Sequence, residues 1–474
     1  MNKKDLIANL TSSFVANFFS LAVSLLSTLL IPKIMGETAF GYWQLYIFYI
    51  SYAGLLHLGL CDGIYLRYGG KDYSTIDKIP LTAQFYTMVI YVTFLVVVIF
   101  FGAEMSISDV DKLCVVGLTC VGALIHVIKT YLLQLLQTTN QIKKYSAVTV
   151  FDRLVFVSLL IVATTSWEVS YQIVILCDIS GRVLSLGLSI FYCREVVINK
   201  PRFSKMIWKE MRGNFASGSM VLLSGVASNL VVGIMRIGME QNWSIEVFGH
   251  TSLSLSVLNM FFSFITVMGL VFFPILKNIH IDDQKRLFYQ TEQVFPFFLC
   301  AVLLVAFPVK WIMEIWLPQY SISMQYMVII MPMCVLESEN TLLYITYLKA
   351  LRKERVMALV NLFVMGLSVV LSYFTTVVLH DITLVFLGIN LLIFVKTFAF
   401  RLYLYQYYRI IKMRVAVKEV LFLIIYVAAV LLLREIIAAS FVLLAYGLLI
   451  LSEQKSIRRN FVALREYYRK GMEG

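Results

Sequence analysis

The amino-acid sequence predicts an all-α polytopic membrane protein of about fourteen transmembrane helices, and three observations carry that prediction. Of its 474 residues 60% are hydrophobic and only 14% are charged, where a soluble domain carries roughly 25% charged residues. Apolar runs of spanning length follow one another from Leu10 to Leu451, with no soluble module between them. Basic residues collect in every second loop, as they do when a chain threads a bilayer repeatedly.

A helix crosses the hydrocarbon core with about 20 predominantly apolar residues. Windows of that kind place spans at 12–34, 39–65, 80–103, 113–138, 146–165, 169–193, 214–238, 247–275, 293–312, 323–348, 355–378, 382–408, 417–433 and 436–452. Only Arg434 and Glu435 separate the last two. The first run follows "MNKKD", is too long for a signal-peptide core and lacks a small-residue cleavage site, so it reads as an uncleaved span.

Numbering the loops alternately sorts the charge. One side receives Lys3 and Lys4, then Arg67, Lys71 and Lys78, then Lys143 and Lys144. It also receives "REVVINKPRFSKMIWKEMRG", Lys277, Lys285 and Arg286, "KALRKER", "RIIKMRVAVKE" and "KSIRRN". The other side holds "AEMSISDVD", "SWEVS", "MEQNWSIE" and "LHD". The positive-inside rule makes the basic side cytoplasmic and puts both termini there. Trp43, Trp167, Trp243, Trp311 and Trp316 fall at the opposite interface, where an aromatic belt is expected.

The basic linker 194–213 divides the chain into an N-terminal lobe (1–193) and a C-terminal lobe (214–408), followed by an extra helix pair (409–452) and a basic tail (453–474). In the linker, Phe203, Ile207 and Met211 alternate with Lys205, Lys209 and Arg212 at helical spacing. That pattern suits an in-plane helix on anionic headgroups, with Trp208 as an anchor, or a solvated basic connector. Short patterns recur across the linker: Phe40-Gly41 aligns with Phe248-Gly249, and "LLQTTNQIKKY" with "TYLKALRKERV". Two six-helix repeats are a common transporter architecture.

Polar stripes run along several spans. The fourth carries Gly122, His126, Lys129, Gln134 and Gln137. The first carries Ser13, Asn17, Ser20, Ser24 and Ser27, the sixth Asp178, Arg182, Ser185 and Ser189, and the seventh Asn214, Ser217, Ser224, Ser228 and Asn229. A lysine at a span centre costs roughly 2.5–3.5 kcal/mol on insertion scales, so Lys129 must face water or a partner. Asp178 is one candidate partner, and a cavity-facing cation is the other reading. Arg182 can pair with Asp178 one turn earlier. Arg153 lies near a span end, Lys396 is deep in the twelfth span, and Arg401 reads as a snorkelling anchor. Glu337 and Glu339 in "LESENT", with Asp178, are candidates for ion coupling. Intramembrane cations exceed anions in this reading, which suits an anion with a greasy attachment better than a cationic drug.

From Ile31 to Lys71, "IPKIMGETAFGYWQLYIFYISYAGLLHLGLCDGIYLRYGGK", the chain resembles the Wzx-type polysaccharide repeat-unit flippases of the multidrug/oligosaccharidyl-lipid/polysaccharide exporter superfamily. The likeness continues through "LLQTTNQIKKYS", "VFGHTSLSLSVLNMFFSFITVMGLVFFPILK" and "TYLKALRKER". It implies two six-helix lobes around a central cleft, with two extra C-terminal helices. It also implies export of an undecaprenyl-diphosphate-linked oligosaccharide across a bacterial cytoplasmic membrane, supplying a polysaccharide polymerase. By the same likeness, cleft cations hold the diphosphate-sugar headgroup. That role falls by depth and face on Lys129, Arg182, Arg153 and Lys396, with His126, Gln134, Asn17, Ser20, Ser24 and Asn229 as polar lining.

A multidrug exporter of the same superfamily is the second reading, and a membrane polymerase the third. The outer loops are about a dozen residues or shorter, and no H-E-x-x-H, nucleotide loop or hydrolase elbow appears. An enzyme is therefore not expected, nor a cofactor. The seven cysteines have neither metal spacing nor a disulfide framework, and the charge of +12 sits in loops facing lipid headgroups rather than on a nucleic-acid face.

Overall fold

The computed structural model describes residues 21–166, 169–277, 281–410 and 413–473, with side chains at 166, 264–283 and 464–473 left aside. Every regular element among them is helical. Eleven helices are long and apolar enough to cross a membrane, or twelve if one bent pair counts as a single span. A shorter apolar helix, α1 (Leu21–Ile34), is the described part of the expected first span, and α10 (Ile245–Lys277) occupies the expected eighth. The count agrees roughly with the fourteen expected.

The described chain forms two compact units. The first runs to Val226 and takes in Ser244–Gly249; the second holds Ala227–Trp243 and the residues from His250 on. Unit 1 contains the bent pair α2 (Glu37–Ile50) and α3 (Leu60–Tyr68), then α4 (Lys78–Ser106), α5 (Val110–Thr138), α6 (Ile142–Ser166) and α7 (Tyr171–Tyr192). Carboxylates from the short loops cap these helices. Asp109 accepts from the N–H groups of Asp111 and Lys112, and Asp77 from that of Ile79, satisfying donors that a helix start leaves orphaned.

The 59° bend between α2 and α3 has a backbone cause. Leu58 and Gly59 sit at φ 50° and 88°, a left-handed turn that glycine adopts without strain. One turn on, Gly63 admits another backbone: a Cβ there would lie 2.0 Å from the carbonyl oxygen of Asn214. Close crossing on small residues is how helices pack when lipid removes the hydrophobic drive. A Gly63→Leu variant is therefore expected to lose folded protein in detergent; normal yield and melting would show that the crossing tolerates bulk. The same device joins the two matching sequence motifs, because a Cβ at Gly249 would meet the Cα of Gly41 at 3.0 Å.

The linker helix is not separate. After a four-residue turn, α8 (Arg194–Val197), helix α9 runs without a break from Lys205 to Asn242. With no proline between Lys205 and Asn242, nothing ends the helix at the linker, so the predicted in-plane piece and the seventh span are one element. Ile207 and Met211 are buried while Phe203 and Trp208 are exposed.

Unit 2 contains α11 (Ile281–Glu292), α12 (Phe295–Cys300), α13 (Val302–Trp316), α14 (Ser321–Glu339), α15 (Ile345–Ala350), α16 (Glu354–Ser372) and α17 (Ile382–Tyr408). The extra pair follows as α18 (Arg414–Leu432) and α19 (Glu435–Glu473), parted at Leu433 and Arg434. A π-helical segment, Asn340–Tyr344, interrupts the span from Pro318 to Ala350, directly after the "LESE" acids. Such bulges gather at functional positions.

Side-chain placement is that of a membrane protein. Large apolar groups such as Ile90, Phe94, Phe101, Leu359, Phe363 and Leu444 point outward, while ionised groups turn into the bundles. The tryptophan belt is partial. Trp311 and Trp316 are exposed, but Trp43 is buried in a stack on Phe156, and Trp243 stacks on His380. The reason is that Trp43 lies on the α2 face turned toward α6. Trp167, Asn17 and Ser20 lie outside the described residues.

Candidate functional sites, one in each unit

The first site lies in unit 1, where α2, α5, α6 and α7 meet. The α5 stripe turns Lys129 inward, and only 4% of the residue remains exposed. Its Nζ donates to Oδ2 of Asp152 at 2.9 Å and to the Ser185 hydroxyl at 3.1 Å. Ser185 in turn donates to the other oxygen of Asp152, at 3.2 Å. The lysine's partner is thus Asp152 on α6, and Asp178 is occupied elsewhere.

On α7, Arg182 Nε donates to Oδ2 of Asp178 at 2.6 Å, the pairing its four-residue spacing suggests. The Tyr46 hydroxyl, from α2, donates to that same oxygen at 2.6 Å. Arg182 Nη1 also lies 3.0 Å from Nδ1 of His126, which accepts if the ring is neutral with its proton on Nε2. Arg153 comes within 4.0 Å of the second Asp178 oxygen, yet its side chain stays 42% exposed. Three cations therefore face two carboxylates. The buried two are saturated, and the surplus positive charge resides on Arg153, the most exposed of the three.

Asp152 and Tyr46 are the members of this site that sequence reasoning did not select. For Asp152 a signal existed, because an acid inside a predicted span requires a partner. Tyr46 carried none, being one of 27 tyrosines. Gln134 is half-buried further along α5, and Ser24 is exposed on α1.

The second site is in unit 2. Lys396 on α17, fully buried, donates to Oε1 of Glu337 at 2.8 Å and lies 3.4 Å from the Ser228 hydroxyl. Asn340 donates to Oε2 of Glu337 at 3.0 Å and to Thr397 at 2.9 Å. Asn229, beside Ser228, is exposed.

Glu339 faces another way, toward Arg401. The guanidinium does not snorkel: its side chain is 3% exposed and contacts three carboxyl groups. Nε lies 2.9 Å from Oε1 of Glu292, and Nη2 lies 3.1 Å from Glu339 and 2.5 Å from Glu419. Tyr344 and Tyr405 also donate to Glu292. The expected excess of intramembrane cations does not hold across both sites. Lys129, Arg153, Arg182, Lys396 and Arg401 face Asp152, Asp178, Glu292, Glu337, Glu339 and Glu419, five cations against six acids. The positive surplus belongs to unit 1 alone. Among the described residues no cluster has the make-up of a metal site.

No protein-family model and no curated protein matches the chain. Solved structures do. The chain is similar to the lipid II flippase MurJ in an inward closed conformation, with a TM-score of 0.64 at 10% identity, over 95% of this chain and 100% of that one. It is similar to an inward-facing multidrug resistance MATE family transporter of the MOP superfamily, with a TM-score of 0.55 at 12% identity, over 85% and 95%. A MATE protein in complex with MaL6 gives 0.54 at 13% identity, over 88% and 96%. The chain therefore shares the all-helical fold of these solved structures, and its eleven or twelve apolar helices of spanning length make it a multi-pass membrane protein.

Proposed function

We propose that the chain is a Wzx-type flippase. It moves undecaprenyl-diphosphate-linked oligosaccharide repeat units from the cytoplasmic to the outer leaflet of a bacterial cytoplasmic membrane, for O-antigen, capsular or exopolysaccharide synthesis. The observation that carries this reading is the surplus cation of unit 1: Arg153 half-exposed, beside buried and neutralised Lys129 and Arg182. A sugar diphosphate cannot cross hydrocarbon unaided, so its path must be wet and cationic. Arg153 takes the first contact with the headgroup, and Arg182 follows if the headgroup displaces Asp178. The polyprenyl tail stays in lipid while lobes 1–193 and 214–408 alternate access around the headgroup. Lys396, fully buried against Glu337, becomes available to the headgroup only if that pair opens. The membrane potential or an ion gradient acting at Asp178, Glu337 or Glu339 drives the cycle. Both termini are cytoplasmic, membrane lipids surround the spans, no covalent chemistry is performed, and a polysaccharide polymerase receives the product.

A MATE-like multidrug exporter is the second reading, and the acid surplus of unit 2 favours it. Sidedness separates the two. In cells lacking the protein, sugars labelled on intact and on opened spheroplasts should show complete repeat units trapped facing the cytoplasm, and Arg153→Gln should restore export poorly while folding normally. Unchanged surface sugar would turn the reading to the exporter, and unpolymerised units already outside would place the protein after translocation.

A further inference from the structure

Among the buried oxygens of unit 2 that have no hydrogen-bond partner are Oε1 of Glu339 and Oε1 of Glu419. Their residues are 0% and 1% exposed, so water does not satisfy them. Each glutamate uses its other oxygen on the same nitrogen, Nη2 of Arg401. Because both Oε2 atoms converge on that one nitrogen, at 3.1 Å and 2.5 Å, the two carboxyl groups are neighbours. Ionised carboxylates only accept, so two of them in contact leave both oxygens orphaned and repelling. A single proton between them removes both faults, because the protonated group donates to its neighbour.

The charge count asks for the same proton. Among the described residues, the titratable or charged groups facing the pair are Arg401 and Tyr405 from α17, Glu292 from α11, Tyr344 from the π segment and Cys300 from α12. Arg401 is the only cation among them. With three ionised glutamates the interior would carry two uncompensated negative charges; one bound proton halves that excess, and burial of an unpaired charge is what proteins avoid by neutralising it. Glu292 has its own donors in Arg401, Tyr344 and Tyr405, so it is the one that stays ionised. Glu337 is likewise held by donors on both oxygens, and Asp178 by two donors on one oxygen with Arg153 4.0 Å from the other.

We propose that Glu339 and Glu419 share one bound proton at Arg401, forming a proton-binding site that fastens α18 to α14 and α17. This site stands whether or not the chain moves a lipid-linked sugar. The proton is bound only in the docked state, so the stabilisation is complete at low pH and is lost as pH rises through the site's titration.

The experiment is infrared difference spectroscopy on the full chain in lipid nanodiscs, between about pH 6 and about pH 10, a range that spans the titration of a buried glutamic acid. A protonated-carboxyl carbonyl band should bleach on raising the pH, and Glu339→Gln and Glu419→Gln should each abolish that band. In the same samples wild-type melting should fall with rising pH more than that of either variant. An absent band, or one that both variants retain, overturns the proposal. A band lost in only one variant puts the proton on that residue alone and overturns the sharing. If one variant fails to fold, the other still decides, because the shared proton requires both glutamates.

Discussion

A Lys129→Ala variant is expected to lose about 3–5 kcal/mol of stability, the usual cost of orphaning one partner of a buried ion pair. In the native protein Asp152 is held by Lys129 Nζ and the Ser185 hydroxyl. Without the lysine, an 85%-enclosed carboxylate keeps one neutral donor. Neutralising both partners, as in Lys129→Met with Asp152→Asn, should recover most of the loss, because exchanging a buried pair for neutral groups of similar volume is often harmless. Thermal melting of the single and double variants measures this. A single variant that melts like wild type but exports nothing would instead make Lys129 a headgroup ligand. The double variant asks the converse: export with both charges gone would confine Lys129 to holding α5 against α6.

This outcome bears on how much a sequence discloses. Fold class was legible because it rests on sums: twenty apolar residues in a row specify a span regardless of what they touch. The pairing of Arg182 with Asp178 was legible for a similar reason, since four residues on one helix are neighbours whatever the rest of the chain does. The partner of Lys129 was not, because Asp152 and Asp178 sit on different helices and the choice depends on how α6 and α7 rotate against α5. Arg401 shows the opposite failure. Its place near a basic loop suggested snorkelling, but Glu339 and Glu419 lie 62 and 18 residues away in the chain and reach it only through tertiary packing. The π-helical stretch at Asn340–Tyr344 announced itself by no proline or glycine within the segment, and the polar cluster around it is the local correlate.

The two sites also differ in what they can do for a ligand. Unit 1 balances its buried charges and leaves one cation at the surface, which under the proposed function lets an anion bind without first breaking a buried pair. Unit 2 buries an acid surplus beyond the reach of solvent, so only something as small as a proton can answer it. Under the proposed function, the first contact with substrate charge falls to Arg153 in unit 1 and the shared proton to unit 2.

That assignment is tested most severely at Arg401. Arg401→Leu removes the one cation from among Glu292, Glu339 and Glu419, and the expected result is the largest loss of any single substitution considered, above the roughly 3–5 kcal/mol of an ordinary buried pair because more than one acid is orphaned. Arg401→Lys should rescue only in part, since a lysine offers three donors from a point, where the guanidinium offers five in a fork that Tyr344 and the glutamates already engage. Acid should rescue Arg401→Leu: protonating the carboxyls removes the charge that the arginine had balanced, so its melting temperature should rise as pH falls. Adding Glu339→Gln and Glu419→Gln should reproduce that rescue at neutral pH, leaving Glu292 to its two tyrosines. Melting of the four proteins at about pH 5 and about pH 8 separates the possibilities, since acidification neutralises glutamates across that interval when their site is poorly solvated. If Arg401→Leu instead melts like wild type at both, Arg401 reaches out to the membrane surface after all, and the acids of unit 2 have another cation to answer them.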